Sequence, residues 1–522
     1  MKKKQSRNAE IRSVFIANRG EIALRIARTA RRMGLEVCGA FSSADGGLPH
    51  LRLCHRAIEL EGDPARVYLD IGKVVDAARA LNADAVHPGY GFLAENEDFA
   101  SAVADAGMRF IGPTPDQIVA LGDKVQARKA AAKAGVPTVP GCEEPLDSKA
   151  TGKNSPAAIA NEIGFPVLIK AAGGGGGRGM RIVDKPEQLD DAIARAHAEA
   201  KLAFGDERVF IEKYIPRARH IEIQVLGDGK GQAVWLGERE CSIQRRHQKL
   251  LEESPTPALP PDVTQRMGEV AAALAASISY RGAGTMEFIV PFGSRDFYFI
   301  EMNTRLQVEH PVTEMRTGLD LVEEQIAIAQ NESFSSAVAP FIFAQTAGRP
   351  CSQFFRGHAI EARIIAEDPD ADFRPSCGKL DLVMFPGGPG VRVDSWAEAG
   401  LTVSPYYDSL LAKVLTWGQT RDEAIGRMQV ALRETLIHPI VTTAPWLSKL
   451  IATEAFHSGD YDTESVARMR ESETQSDALP LEAGVLAAAD RHNRRNASGM
   501  LRNAPQGRSL SGWQKADAQE KL

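Results

Sequence analysis

At 522 residues the chain is too long for one hydrophobic core and predicts about three or four folding units. Hydrophobic residues make up 43% and charged residues 25%, ordinary for a globular protein, and 62 basic against 68 acidic side chains leave a net charge of −6, so no global basic field invites nucleic acid. No apolar run approaches the ~18 residues of a membrane span, and the basic residues 1–4 are not followed by the apolar run of a signal peptide, so a cytoplasmic location with no membrane partner is expected. The six cysteines form no C-x-x-C and fit no zinc spacing, which predicts free thiols in a reducing compartment.

In chain order, the apolar run 13–18 predicts a strand, Arg19-Gly20 a turn, and 21–33 a helix with Ile22, Ile26 and Ala30 on one face. Gly34 stops that helix and 36–41 is a second strand. A helix over 67–80 leads to a strand at Ala85-Val86 that runs into HPGYGFLAEN, 87–96, and a helix over 100–106 leads to a strand over 109–111. Alternating strands and helices with short links predict a parallel α/β sheet, whose ligands lie at the carboxyl ends of strands, and 87–96 is such an end. Lys124 follows on the helix GDKVQARKAAAKAGVP, where taken alone it reads as a solvated lysine.

The stretch 139–156, rich in Pro, Gly, Ser and Lys, predicts a connection into a second unit, about 142–214. Its centre is PVLIKAAGGGGGRGM, 166–180: an apolar strand ends in Lys170, and then come Gly173, Gly174, Gly175, Gly176 and Gly177. Without Cβ atoms the backbone N–H groups can approach phosphate oxygens closely, so the run reads either as a mobile lid over a nucleotide or as a floppy linker; it fits neither the dinucleotide fingerprint nor the Walker loop. A helix over 190–202 and a strand over 209–215 follow, with Glu212 and Lys213 expected to be exposed at a hinge before Pro216. Residues 220–225 alternate, with Ile221, Ile223 and Val225 on one face and His220, Glu222 and Gln224 on the other. A hairpin at Asp228-Gly229 returns through 233–236 into the charged run 237–253, a solvated face or an anion site.

Two strands, 284–290 and 297–303, are joined by PFGSRD as a hairpin, and a register in which residue numbers sum to about 588 puts Glu287 opposite Glu301. Their Cβ atoms would lie about 5 Å apart, a like-charge pair that asks for a cation, and magnesium suits two carboxylates beside substrate phosphates. Asn303 shares that face, and the period-two series Asn303, Arg305, Gln307, Glu309 predicts a polar groove wall. Alternation resumes over 357–364, ending near Arg363; PGGPG at 386–390 is a turn, 410–415 a strand and 421–436 an amphipathic helix. From about 471 the composition predicts a polar tail without a fold of its own, with one helix near 481–491.

Together Lys124, Lys170, the glycine run, Lys249, Glu287, Glu301, Asn303 and Arg305 compose a nucleotide–magnesium site between two α+β units, the layout of the ATP-grasp fold. The strings IANRGEIALRI, HPGYGFLAEN, GDKVQARKAA, IKAAGGGGGRGM, HIEIQV, ERECSIQRRHQK, RGAGTMEF and FIEMNTRLQVEHPVTE, in that order, closely resemble the biotin carboxylase family over about 11–465. The resemblance implies an α/β and α+β architecture: an N-terminal parallel (PreATP-grasp) domain at 1–125, an ATP-grasp domain at 126–330 with its lid at 142–214, a C-terminal antiparallel biotin carboxylase domain at 331–470, and the tail 471–522. It implies a ligase in which ATP and bicarbonate give carboxyphosphate, whose carboxyl group passes to the N1′ nitrogen of biotin. Lys124 and Lys170 would hold ATP phosphates under the lid, Glu212, Lys213 and Ile215 line the adenine hinge, His220 and Gln244 lie near the ribose, and His247 sits on the phosphate side. Glu287 and Glu301, with Asn303 close by, would ligate magnesium or manganese. Lys249, Arg305, Gln307 and Val308 would surround bicarbonate, Glu309 would be its general base, and Arg363, with Tyr90 nearby, would stabilise the biotin enolate.

The resemblance further implies a biotin carboxyl carrier protein and carboxyltransferase subunits as partners, acetyl-CoA or another acyl-CoA as final acceptor with a place in fatty acid biosynthesis, and leaves a homodimer open. No lysine here has the Ala-Met-Lys-Met setting that receives biotin, so biotin is expected on another polypeptide. The chain departs from the family pattern at 438–443 and in a longer segment over 333–356, which bears on the last unit and the oligomer. A carbamoyl-phosphate-synthetase-like ligase predicts two homologous halves, whereas each motif occurs once; an inactive ATP-binding subunit predicts loss of a metal carboxylate or of Glu309, and all are present.

Overall fold

The structure is a computed structural model and describes residues 10–142, 144–146, 151–171, 180–204, 207–331 and 333–474. The first unit is a five-stranded parallel sheet in the order Arg56–Glu59, Glu36–Phe41, Ser13–Ile16, Ala85–His87, Arg109–Phe110, as the alternation predicts. The helix Gly20–Arg32 buries its apolar stripe completely, with Ile22, Ile26 and Ala30 in one core. The helix expected over 67–80 is broken: a 3-10 turn, Val67–Leu69, gives way at Asp70, whose side chain accepts from the Lys73 backbone and starts a new helix, Ile71–Ala80. A helix absent from the sequence reading, Pro115–Gly122, opens with a Thr114/Gln117 capping box. Asp123 then caps the helix Lys124–Lys133, the one the sequence predicts, by accepting from the backbones of Val125 and Gln126.

The second unit is a three-stranded antiparallel sheet, Met180–Val183, Val167–Ala171, Val209–Lys213, backed by the helices Pro156–Ile163 and Leu189–Phe204. Val167, Ile169 and Ile211 give it a small core of its own. The glycines Gly173 to Gly177 lie outside the described residues.

The largest element is an eight-stranded antiparallel sheet in the order Tyr298–Asn303, Arg281–Pro291, Ala218–Asp228, Ala233–Arg245, Gln248–Ser254, His358–Ile365, Leu410–Gly418, Val391–Ser395. It runs straight across the expected boundary at 330/331. Gln248–Ser254 pairs with His358–Ile365, in the register Leu251↔Ala362 and Glu252↔Glu361, which removes an open edge the middle domain would otherwise present. One face of its first strands is apolar, with Ile221, Ile223, Val225, Met286 and Phe288 packed with residues of the helix Pro261–Ser277; the other face carries polar side chains. The longer segment 333–356 folds into the helix Ala339–Thr346 between two 3-10 turns, places Phe341 and Ala344 in the cores, and fixes itself by Gln345 Nε2 donating to the Trp235 carbonyl at 2.9 Å. The helix Ser465–Thr474 occupies the first residues of the expected tail; the helix expected near 481–491 lies outside the described residues. No described helix is long and apolar enough to cross a membrane, and all six cysteines are free.

Candidate active site

The polar face is built around Arg239, a fully buried guanidinium in the strand Ala233–Arg245. It donates five hydrogen bonds: Nε to Glu222 (3.0 Å), Nη1 to Gln224 (2.6 Å) and Thr313 (3.2 Å), Nη2 to Thr285 (2.9 Å) and Gln307 (2.5 Å). Every donor of a planar fork is thus used, which fixes side chains from three strands and the segment after Asn303 in one arrangement.

On this base stands the centre. Lys249 Nζ donates to Glu309 Oε1 at 2.7 Å and to Glu287 Oε1 at 3.3 Å, and is also bonded to Glu222. Arg363 reaches Glu309 from the other side, Nη2 to Oε2 at 2.7 Å, while its Nε donates to Glu252 at 2.6 Å. Burial pushes the Glu309 carboxyl up, but the charges of Lys249, Arg363 and Arg239 outweigh it and hold the group well below the usual carboxylate range. Glu309 is therefore ionised and, with both oxygens directed by cations, oriented. The strand ends at Asn303, so the period-two series does not continue as a strand; Glu309 sits just before the helix His310–Thr317. The series nevertheless converges: Gln307 Nε2 donates to Glu287 at 3.0 Å, Asn303 Nδ2 to Glu287 at 2.8 Å, and Arg305 Nη2 to Asn303 Oδ1 at 3.0 Å. Val308 contributes its backbone, whose carbonyl accepts from Lys413 Nζ at 2.8 Å.

Glu287 and Glu301 are register partners, as the number sum predicts; the bulge follows immediately, with Phe288 opposite Phe299. Burial pushes the Glu287 carboxyl up, and Lys249 and His220 more than reverse it, leaving it well below its usual range; His220 Nε2 lies 3.0 Å from Glu287 Oε2. Two facing carboxylates with an amide oxygen two residues on form the all-oxygen set that suits magnesium or manganese. The Asn303 amide now turns its nitrogen to Glu287 and its oxygen to Arg305, and a half-turn of that amide would offer the oxygen. His220, Glu222 and Glu287 also bring ligand atoms within 4.8 Å of one another.

Around this centre, Lys170 is ion-paired with Glu212, which also binds Arg128 of the helix Lys124–Lys133. Glu212 is only 7% exposed, contrary to the exposed hinge read from sequence, because two cations on different elements draw its carboxylate inward. Lys213 is half-buried and donates to the carbonyls of Gly164 (2.9 Å) and Phe165 (3.1 Å), and Ile215 follows, also half-buried. Gln244 is buried on its strand, while His247 is exposed at the tip of the hairpin between Ala233–Arg245 and Gln248–Ser254. Lys124 begins its helix. Tyr90, on the loop at the carboxyl end of the parallel sheet, donates to Glu21 and lies under Lys413, whose Nζ is 5.9 Å from the ring centroid.

Sequence reasoning missed Lys413, Glu252, Glu361, Arg128 and Glu95, and counted Arg239 only as one basic side chain of the charged run 237–253. Glu95, from the same 87–96 loop as Tyr90, stands 3.1 Å from Arg305 Nε and ties the first unit to the series 303–309. Nothing in the string tells a buried arginine from a solvated one.

Three family models match: "Biotin carboxylase, N-terminal domain" over 10–118, "Carbamoyl-phosphate synthase L chain, ATP binding domain" over 123–337, and "Biotin carboxylase C-terminal domain" over 361–468. The chain is 48% identical to the biotin carboxylase of Nostoc sp. over 458 residues, 87% of this chain and 98% of that one. Among solved structures, the biotin carboxylase–ATP complex of Campylobacter jejuni is 42% identical with a TM-score of 0.81, over 88% of this chain and 99% of that one. The biotin carboxylase domain dimer of the Hydrogenobacter thermophilus 2-oxoglutarate carboxylase, solved with MgADP and bicarbonate, is 41% identical with the same TM-score, over 88% and 98%.

Proposed function

The chain belongs to the biotin carboxylase family, a ligase that carboxylates biotin at the expense of ATP, and on that footing we propose how its own residues divide the work and which carboxylase it serves. The observation that carries the reading is the Glu309 carboxylate held between Lys249 and Arg363, each at 2.7 Å. Bicarbonate is a poor nucleophile, and a positioned base is worth about 10²–10⁴-fold. Lys249, Arg305, Gln307 and the Val308 backbone orient bicarbonate, and Glu309 takes its proton as the oxygen attacks the γ-phosphorus of ATP, whose bond to the bridging oxygen breaks so that ADP leaves and carboxyphosphate forms. Lys124, Lys170 and the glycines 173–177 hold the phosphates and keep water from carboxyphosphate, which hydrolyses readily. Glu212, Lys213 and Ile215 line the adenine side, with His220 and Gln244 toward the ribose and His247 toward the phosphates. Glu287, Glu301 and Asn303 would hold magnesium or manganese, which neutralises charge on the phosphate oxygens. Arg363, with Tyr90, then stabilises the negative charge that develops on the ureido oxygen as N1′ of biotin loses its proton.

The biotin arrives on a separate carrier protein, and the carboxyl group goes on to an acyl-CoA, acetyl-CoA first, through a carboxyltransferase subunit; a 2-oxo acid is the second reading, favoured by the Hydrogenobacter relative. ATP hydrolysis measured with and without bicarbonate and free biotin tests the roles: hydrolysis should require bicarbonate and rise with biotin, and indifference to both would sink them. Purification with bound partners, followed by assay against acetyl-CoA, propionyl-CoA, pyruvate and 2-oxoglutarate, decides the acceptor.

A further inference from the structure

Beside Arg363 two glutamates stand opposite each other on neighbouring strands. Glu252 and Glu361 are register partners on adjacent antiparallel strands, and neither has any exposed surface. Directly opposed residues place Cβ atoms about 5 Å apart. Glu252 Oε1 accepts from Arg363 Nε at 2.6 Å and lies 2.5 Å from Nη2 in an ion pair. Its Oε2 has no hydrogen-bond partner, and neither has either oxygen of Glu361. Three buried carboxylate oxygens without donors, on two facing side chains, would be costly if both were ionised. One proton shared across the pair supplies the missing donor.

We propose that Glu252 and Glu361 hold one proton between them and that Glu252, as a positioning residue, sets the Arg363 guanidinium for the biotin step. Nε and Nη2 of Arg363 are taken up by Glu252 and Glu309, so the pair determines how the remaining edge of the fork is presented. The charged groups acting on the pair are Arg363 on Glu361's own strand, Lys413 on the next strand, Lys249 on Glu252's strand, and Glu309 before the helix His310–Thr317. Burial pushes the Glu252 carboxyl up to about 7, Arg363 pulling down and Glu309 adding to the rise. Burial likewise pushes Glu361 well above the ordinary range, with Lys413 opposing and Glu252 reinforcing. Both directions agree with the geometry.

The role assigned to Arg363 at biotin is a premise here, so the test separates the two. Infrared difference spectra of the full chain at neutral pH, wild type minus Glu361→Gln, should show the carbonyl stretch of a protonated carboxyl; its absence overturns the shared proton whatever Arg363 does. Glu361→Gln supplies an N–H donor in the proton's place and should keep biotin carboxylation within about 3-fold, since only one hydrogen-bond donor is exchanged for another. Loss as deep as that of Arg363→Ala would overturn the proposal. Glu252→Gln removes the charged anchor and should lower kcat/KM for biotin about 10- to 100-fold while bicarbonate-dependent ATP hydrolysis without biotin changes far less. Equal loss in the two assays would make Glu252 a merely structural group. If Arg363→Ala itself depresses both assays equally, the assignment of Arg363 falls, and the infrared result still stands or falls alone.

Discussion

An acid that is to act as a base must enter the cycle without its proton, and Glu309 does so because two cations meet it at 2.7 Å each. Glu309→Gln keeps the size and loses the proton acceptor, so carboxylation should fall about 10²–10⁴-fold while ATP affinity stays near wild type; turnover close to wild type would place the base elsewhere. The fully buried Lys413 makes a different prediction. It donates to the Val308 carbonyl and stands 3.1 Å from Glu21, so Lys413→Met strands a carboxylate and should cost about 3–5 kcal/mol in urea unfolding. Glu309, Arg305 and Gln307 were legible because period two singled them out among apolar neighbours. Lys413 was not: it interrupts the run LLAKVLTW, where one lysine in an otherwise apolar strand reads as an edge residue, and its partner Glu21 comes from almost four hundred positions away.

At the scale of elements, the hairpin register of Glu287 and Glu301 followed from arithmetic on the sequence, since the alternation on both strands was clean up to the bulge. The turn between Ala233–Arg245 and Gln248–Ser254 did not. Its central residues, Arg246 and His247, have φ of +49° and +67°, the conformation of primed hairpin turns, yet neither is the glycine or asparagine that announces one. On the same strand, Glu253 joins three elements, accepting from Arg421 Nε (2.7 Å) and Nη2 (2.8 Å), from Tyr461, and pairing with His358. Burial pushes this carboxyl up, but the hydrogen bonds from Arg421 and His358 outweigh it and bring it down to about 2. A carboxyl lowered on folding adds stability above its unfolded value near 4.5 and loses it as pH falls toward 2. Glu253→Gln should therefore destabilise the protein by about 3–5 kcal/mol at pH 7. The deficit should narrow on acidification through that window, measured by chemical unfolding at a series of pH values; a constant deficit would remove the charge from the explanation.

For the whole molecule, the decisive fact is that Glu287, Lys249 and Arg363 stand on strands of one sheet although the sequence reads as separate domains. Composition shifts and motif order mark out the parallel N-terminal unit and the lid, each with its own core, but strand pairing between 248–254 and 358–365 leaves no trace in either string. A chain ending at 330 would lose three strands and expose the edge of Gln248–Ser254, so it should aggregate or stay unfolded in circular dichroism and solubility assays. A chain ending after Thr474 keeps all eight strands and should retain bicarbonate-dependent ATP hydrolysis within about 2-fold; collapse of that activity would give residues 475–522 a part in the fold.

The pairing of His358–Ile365 between two neighbours also sets where this gene can gain or lose codons. Glu361 and Arg363 reach the site because each is an odd step from Ile360, Ala362 and Ile364, which are buried on the opposite side. Deleting one codon within the strand would exchange the two sets, sending guanidinium and carboxylate into hydrocarbon and isoleucine into the site. Between 333 and 356, where the chain crosses the body as a helix and short turns, added codons disturb no such parity. Length variation among related genes should accordingly collect just upstream of the strand and stop at His358.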